Sequence, residues 1–264
     1  MASRRFIASL SAGLFLSLFT AGCETATKTL NPPKRIGIST PTPSKPLSSL
    51  TWPTGIRPGN SLADIDLMTK AFDLYVFETE WSGPAPWIIK GGGAYPYWLV
   101  EDIRSEEVRA SIKDISVQLE EATGQIISEA LAEPEGRIRI IVSVGKTGSR
   151  EHCHFSTKRY GDGTLSRAVI YIGPDYPDMR HCLVEELSQI LGPANDITLI
   201  EDSLWRPKEV ETARGLTWSD AVILRALYDE RLKPGMSRAA AMPIVRVIIG
   251  ELLEELNRRT VSLF

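Results

Sequence analysis

Two adjacent glutamates and a nearby glutamine are the residues of this sequence best placed to do chemistry. Glu185 and Gln189 are four residues apart, so on a helix their side chains lie one turn apart on the same face. This spacing can present two ligands to a metal ion, and Glu186 beside them is a candidate general base. Oxygen ligands of this kind suit Ca²⁺ or Mg²⁺ better than zinc.

Three further polar residues could extend this site. His181 precedes Glu185 by four residues, and Asn195 and Asp196 follow the helix stop signal Gly192-Pro193. Each is a candidate metal ligand. The structural alternative is that Glu185 and its two partners form the solvated or hydrogen-bonded face of an amphipathic helix.

The stretch 185–196 resembles the zinc-binding motif of metzincin proteases, His-Glu-x-x-His-x-x-Gly-x-x-His. Glu186 stands at the general-base position and Gly192 at the turn glycine. The three zinc-ligand positions carry Glu185, Gln189 and Asn195, or Asp196 beside it. Residues 203–207 resemble a Met-turn with Trp205 in place of methionine. The resemblance implies a degenerate site, because tight zinc binding depends on the missing histidines.

The sequence more closely resembles an uncharacterised family of proteobacterial envelope proteins. Residues 182–196 carry its pattern Cys-x-x-Glu-Glu-x-x-Gln-x-Leu-Gly followed by Asn-Asp. Residues 227–237 carry Leu-Tyr-Asp and then Lys-Pro-Gly-Met-Ser. The resemblance covers roughly residues 70–250 and implies an envelope lipoprotein with a domain of unknown function.

The pattern of apolar residues predicts the elements that must position the site. Strands are predicted at 72–77, 86–90, 137–144 and 168–172. Helices are predicted at 108–126, at 183–191 and around 245–256. A further helix is predicted to begin at a capping box formed by Thr217 and Asp220. We therefore expect one α/β (α+β) domain over 59–264. The metzincin resemblance further implies that this domain is zincin-like. Its elements would be a small twisted mixed sheet, a long backing helix, an active-site-type helix and C-terminal helices.

An aromatic cluster surrounds the glycines at 91–93 and has two interpretations. Its members include Trp87, Tyr95, Tyr97 and Trp98. They could rim a groove for a peptide or glycan. They could equally pack onto the core, since aromatic side chains contribute much of the buried area of a protein.

Cys153 and Cys182 also leave alternatives open. In an oxidising compartment two such cysteines most often form a disulfide. All three histidines of the chain lie beside them, so a zinc site and free thiols are the other possibilities.

The N-terminus predicts export and lipid anchoring. Residues 1–22 combine Arg4 and Arg5 with an apolar segment at 6–19, which is typical of a signal peptide. The segment ends in Thr-Ala-Gly before Cys23 and resembles a bacterial lipobox, which implies cleavage before Cys23 and its acylation. Glu24 implies the outer membrane rather than the inner one. Residues 23–58 are Pro-rich and predict an extended tether.

Composition and motifs exclude several function classes. The chain has 264 residues with 30 Lys+Arg and 33 Asp+Glu, so its net charge of −3 argues against nucleic acid as a partner. The sequence holds neither a complete phosphate-binding loop nor a Gly-x-Ser-x-Gly nucleophile motif.

We predict a protein anchored through Cys23 at the periplasmic face of the outer membrane, with no cofactor. Its non-catalytic domain would bind a peptide, a protein or an envelope polymer. One alternative is a hydrolase that uses Glu186 with one divalent metal. Another is a structural tether of an envelope complex.

Overall fold

The computed structural model of the protein describes residues 52, 64–79, 83–85, 87–92, 94–100, 105–130, 140–144, 153–206 and 215–261. The predicted signal peptide, Cys23 and the predicted tether, apart from Trp52, lie outside these residues. No helix in the described ranges is long and apolar enough to cross a membrane.

Five strands form the sheet: β1 (Ala94–Val100), β2 (Ile126–Glu129), β3 (Ile140–Val144), β4 (Cys153–Arg159) and β5 (Leu165–Ile172). Their order across the sheet is β2-β1-β3-β5-β4. All neighbouring pairs are parallel except β4 and β5, which form an antiparallel hairpin. The strand β4 therefore lies at one end of a mixed, mostly parallel sheet.

Five helices complete the domain: α1 (Ile65–Phe77), α2 (Ser105–Thr123), α3 (Met179–Ile190), α4 (Trp218–Tyr228) and α5 (Arg238–Val261). The long helix α2 connects β1 to β2 and packs against α3. The helix α3 follows β5 and contacts both β4 and β5. This arrangement confirms a mixed α/β fold.

One row of paired residues shows how the sheet contributes to the hydrophobic core. Tyr97, Ile140 and Ala168 are neighbours on β1, β3 and β5, and all three side chains are buried. Side chains paired in register point to the same face of a sheet. Their row therefore belongs to the hydrophobic core, into which the helices also pack.

The strand predicted at 72–77 is wrong, because these residues form the second half of α1. Asp64 caps this helix by accepting hydrogen bonds from the backbone N–H groups of Asp66 and Leu67. Met68, Phe72 and Tyr75 are all buried, which matches a helical spacing of four and three. A short, almost continuous run of apolar residues fits the periodicity of a helix and that of a strand equally well. Only the Asp64 cap upstream indicates that this run is helical.

The strand predicted at 86–90 is also wrong. Over the described residues 87–90 the structure gives only isolated bridges, between Trp87 and Ser237 and between Lys90 and Thr164. The predicted helix 108–126 is confirmed as far as Thr123, where α2 ends before Gly124 with a φ of 72°. Ile126, predicted as helical, begins β2 instead.

Candidate functional site: the carboxylate helix and the edge strand

Every residue of the helix that carries the candidate site is buried, except Arg180 in its first turn. Asp178 caps α3, and its Oδ1 accepts a hydrogen bond from the His181 N–H at 2.9 Å. Glu185, Glu186 and Gln189 are only 2%, 4% and 6% exposed. They therefore do not form a solvated helix face.

A disulfide joins this helix to the edge of the sheet. Cys153, the first residue of β4, is bonded to Cys182 in the first turns of α3, with their Cα atoms 5.9 Å apart. Cys182 is fully buried and Cys153 is 5% exposed. The disulfide alternative is confirmed, and neither sulfur remains as a thiolate that could bind zinc.

Glu186 faces this disulfide. Its Oε1 lies 3.3 Å from the Sγ of Cys153. A disulfide sulfur carries no proton, so this approach is a contact rather than a hydrogen bond donated by cysteine. The carboxylate in the general-base position is therefore directed at the disulfide that joins β4 to α3.

Glu185 lies beside a histidine of its own helix. His181 Nε2 is 3.5 Å from Glu185 Oε2, and both side chains are buried. The pair spans one helical turn, so the two side chains lie on the same face of α3. His154 of β4 lies elsewhere, stacked on the ring of Tyr171 with the centroids 5.0 Å apart.

The remaining candidate ligands are engaged in hydrogen bonds. Gln189 Nε2 donates to Asp196 Oδ1 at 2.6 Å. Asn195 Nδ2 donates to the backbone carbonyl of Leu74 at 3.1 Å, so it ties the loop after α3 to α1.

These residues do not fit a metal site. Among the described residues, no group of three histidine, cysteine or acidic side chains could hold a metal ion. The amide of Gln189 uses its N–H to bind the very carboxylate that would share the metal. No catalytic step through a metal follows from this geometry.

The turn that resembles a Met-turn lies directly against α3. Trp205 is fully buried, and its Nε1 donates to the Ser188 Oγ at 2.7 Å. Its ring also meets the ring of Tyr75 edge to face, with centroids 5.0 Å apart. A single tryptophan therefore connects this turn to both α3 and α1.

A buried carboxylate holds the same turn in place. Asp220 accepts hydrogen bonds from the Ser203 hydroxyl and from the N–H groups of Leu204 and Thr217. Thr217 and Asp220 form the predicted capping box of α4. Burial raises the pKa of Asp220 to about 6. The sequence indicated the cap but not its second role in binding the turn.

The predicted groove aromatics divide into two groups. Tyr95 is fully buried, and Tyr97 is buried with its hydroxyl 3.4 Å from Glu129 Oε2. Both belong to the core rather than to a surface groove. Trp87 and Trp98 are partly exposed and stay candidates for a binding surface.

The buried hydroxyl of Tyr95 is part of a chain of hydrogen bonds. The Gly91 N–H donates to the Tyr95 hydroxyl, which lies 2.6 Å from the hydroxyl of Tyr228. Tyr228 in turn donates to the Leu191 carbonyl at the end of α3. Burial raises the pKa of both tyrosines.

Lys90 is a buried cation that the sequence did not reveal. Its Nζ donates to the carbonyl oxygens of Leu227 and Asp229 at the C-terminus of α4. A cation is favourable there because the helix dipole is negative at that end. Burial lowers the pKa of Lys90 to about 8.

Trp52 falls within the predicted tether but is buried. Its ring lies 3.8 Å from the guanidinium carbon of Arg225 and 5.3 Å from the ring of Trp218. Its Nε1 donates to Glu255 Oε1 at 3.2 Å. The chain therefore contacts α4 and α5 at residue 52, ahead of the predicted start of the domain. A single tryptophan in a Pro-rich segment was the only available signal.

The fold and this site define a mixed α/β domain in which a disulfide joins a buried carboxylate helix to the edge strand. Residues 100–247 match the model of a family described as a protein of unknown function, DUF2927. The match covers more than half of the chain, so the chain belongs to this family. It includes α2, α3 and α4, whereas α1 and Trp52 lie before it. No protein with a curated description matches the chain.

Proposed function

We propose that this domain binds an extended peptide along β4 and does not hydrolyse it. The element order supports a relationship to metzincins. A long helix lies between β1 and β2, a helix follows β5, and the Trp205 turn packs against that helix. The metzincin resemblance implied a long backing helix and an active-site-type helix beside a mixed sheet.

The observation that carries the proposal is the position of β4. It is the last strand of the sheet, and no described strand pairs with its outer edge. An exposed edge can accept an extended peptide as an additional strand. The side chains of Ser156 and Thr157 on this strand are exposed.

The chemistry of α3 supports binding rather than catalysis. Glu186 lies against the disulfide, and Gln189 is bonded to Asp196. A general base in a metzincin-like site acts on a water molecule whose pKa is lowered by a bound metal. The side chains of Glu185, Glu186 and Gln189 do not form such a metal site.

Photo-crosslinking tests the binding surface. A photoreactive benzoylphenylalanine replaces Ser156 on β4 and, as a control, Val117 on the exposed face of α2. The probe is a mixture of labelled eight-residue peptides of random sequence. Crosslinking at position 156 alone supports the proposal, whereas equal labelling at both positions or at neither contradicts it.

The same peptides distinguish binding from hydrolysis. The full chain and its Glu186→Gln variant are incubated with them, with and without added Zn²⁺, and the products are measured by mass spectrometry. We expect intact peptides in all four samples. Cleavage by the wild type that disappears in Glu186→Gln would instead support the metal-dependent hydrolase.

We further propose that the domain is held at the periplasmic face of the outer membrane by acylation of Cys23. The proposal is supported by the signal-like segment 1–22 and the small residues before Cys23. A Cys23→Ser variant should leave the outer-membrane fraction of a sucrose gradient. If its distribution equals that of the wild type, the lipid anchor is excluded.

A further inference from the structure

Three basic side chains lie at one end of the β4–β5 hairpin. Lys158 on β4 is directly opposite Arg167 on β5, and Arg159 follows on β4. Lys158 and Arg159 are exposed. The chain as a whole has a net charge of −3, so this end of the hairpin is locally opposite in sign to the protein.

The pairing of Lys158 with Arg167 is unfavourable by itself. Like charges directly opposite each other on neighbouring strands destabilise a sheet. Within the described part of the chain, none of the three forms an ion pair, and the buried Nε of Arg167 has no hydrogen-bond partner. The nearest acid along the hairpin is Asp162, whose Oδ1 accepts from the Thr164 N–H in the turn.

Most arginines elsewhere in the described structure have an acidic partner, whereas Arg206 and Arg258 bond to backbone carbonyl oxygens. Six of them form an ion pair with a carboxylate: Arg109, Arg180, Arg231, Arg238, Arg246 and Arg259. The cluster of Lys158, Arg159 and Arg167 thus stands out as one whose charge is not balanced by the domain. Two of its members, Lys158 and Arg159, lie on β4, whose outer edge has no described neighbour.

We infer that the edge of β4 selects extended peptides that carry acidic side chains opposite Lys158 and Arg159. This inference rests on the proposed peptide binding and specifies its ligand. A residue added opposite Lys158 would have its Cβ about 5 Å from that of the lysine. A carboxylate there would reach Lys158 on the same face, where Arg167 adds positive potential. Arg159 follows directly after the register shift at Lys158 and adds a second exposed cation to the edge.

Three fluorescein-labelled peptides provide the probe. Each has eight residues of alternating threonine and valine, except that the two central residues are both glutamate, both glutamine or both lysine. Binding to the full chain in detergent is measured by fluorescence anisotropy at low and high salt. We expect the glutamate peptide to bind about tenfold more tightly than the glutamine peptide, with a smaller ratio at high salt.

Matched variants connect this preference to the cluster. Lys158→Gln/Arg159→Gln removes two exposed charges of β4, and Lys70→Gln/Lys113→Gln removes two exposed charges from α1 and α2. The first variant should bind the glutamate and glutamine peptides equally, and the second should keep the preference. Thermal unfolding checks that both variants are folded.

The other outcomes separate the inference from the function on which it rests. If all three peptides bind equally, peptide binding stands and the acidic preference is overturned. If no peptide binds, the proposed function and the inference both fail. If an eight-nucleotide oligothymidylate binds as tightly as the glutamate peptide, the cluster attracts anions in general and the peptide preference is overturned.

Discussion

Glu186 Oε1 lies 3.3 Å from the Sγ of Cys153, across the junction between α3 and β4. In the metzincin motif the corresponding glutamate activates water at a metal. Here the same position faces a disulfide that joins the helix to the edge strand. The junction between α3 and β4 is therefore held by a covalent bond.

Loss of the disulfide should destabilise the domain. Cys153 and Cys182 are separated by 29 residues, and a cross-link of that span stabilises a fold by about 3.6 kcal/mol in the chain-entropy model. Urea unfolding of Cys153→Ala/Cys182→Ala, followed by tryptophan fluorescence, should show a decrease of that size. Dithiothreitol should lower the midpoint of the wild type only; an unchanged wild-type midpoint after confirmed reduction would contradict this role.

Gly192→Ala should destabilise the end of α3. Gly192 has a φ of 140°, and an added Cβ would lie 2.4 Å from Leu227 Cδ2 and 2.9 Å from the Ile89 carbonyl oxygen. Backbone strain and overpacking together predict a loss of about 2–4 kcal/mol in the free energy of unfolding. Gly161→Ala is the control, because its Cβ would meet nothing within 4 Å. Equal midpoints of thermal unfolding for the two variants would refute the explanation.

The buried Asp220 should make the stability depend on pH. Its pKa rises from 3.8 to about 6 on folding, so between these values the folded state binds more protons than the unfolded state. Its contribution to the free energy of unfolding is therefore greatest below pH 4 and decreases as the pH rises through 6. The total change is of the order of 2–3 kcal/mol.

The variant Asp220→Asn isolates this effect. Its carbonyl oxygen can still accept from Leu204 and Thr217, and its amide can donate to the Ser203 oxygen. The stability of Asp220→Asn relative to the wild type should increase from pH 4 to pH 7 in urea titrations. A constant difference across this range would mean that Asp220 does not titrate as proposed.

Trp52 should contribute to the stability of the domain although it precedes the family match. Trp52→Ala removes the ring over Arg225 and exposes part of α4 and α5, so we expect a loss of about 3 kcal/mol. Trp52→Phe keeps a ring over Arg225 but loses the hydrogen bond to Glu255, and should cost about 1 kcal/mol. Unfolding midpoints equal to that of the wild type would place Trp52 outside the cooperative unit.

Regular periodicity made four of the five helices of the described fold its most predictable part, whereas the second half of α1 was predicted as a strand. The helices α2, α3, α4 and α5 each combine a regular apolar spacing with a cap or a glycine stop. The strand β4 was missed because five of its seven residues are polar or charged and exposed at the edge. The strand β1 contains Pro96, which discourages a strand prediction although it lies inside the sheet.

The candidate site was only partly predictable for a different reason. The spacing of Glu185 and Gln189 located the helix face, and the cysteine count indicated the disulfide. The partners of these residues come from distant segments, as with Asn195 and the Leu74 carbonyl or Trp205 and Ser188. Such long-range contacts depend on the packing of the whole domain, which a local pattern does not contain.

The metal content of the protein tests the central claim most directly. The full chain, exported to a periplasm and purified without a histidine tag, is analysed by inductively coupled plasma mass spectrometry. A non-catalytic domain should hold less than about one tenth of a transition-metal ion per chain. About one zinc ion per chain, with peptide hydrolysis that Glu186→Gln abolishes, would contradict the account.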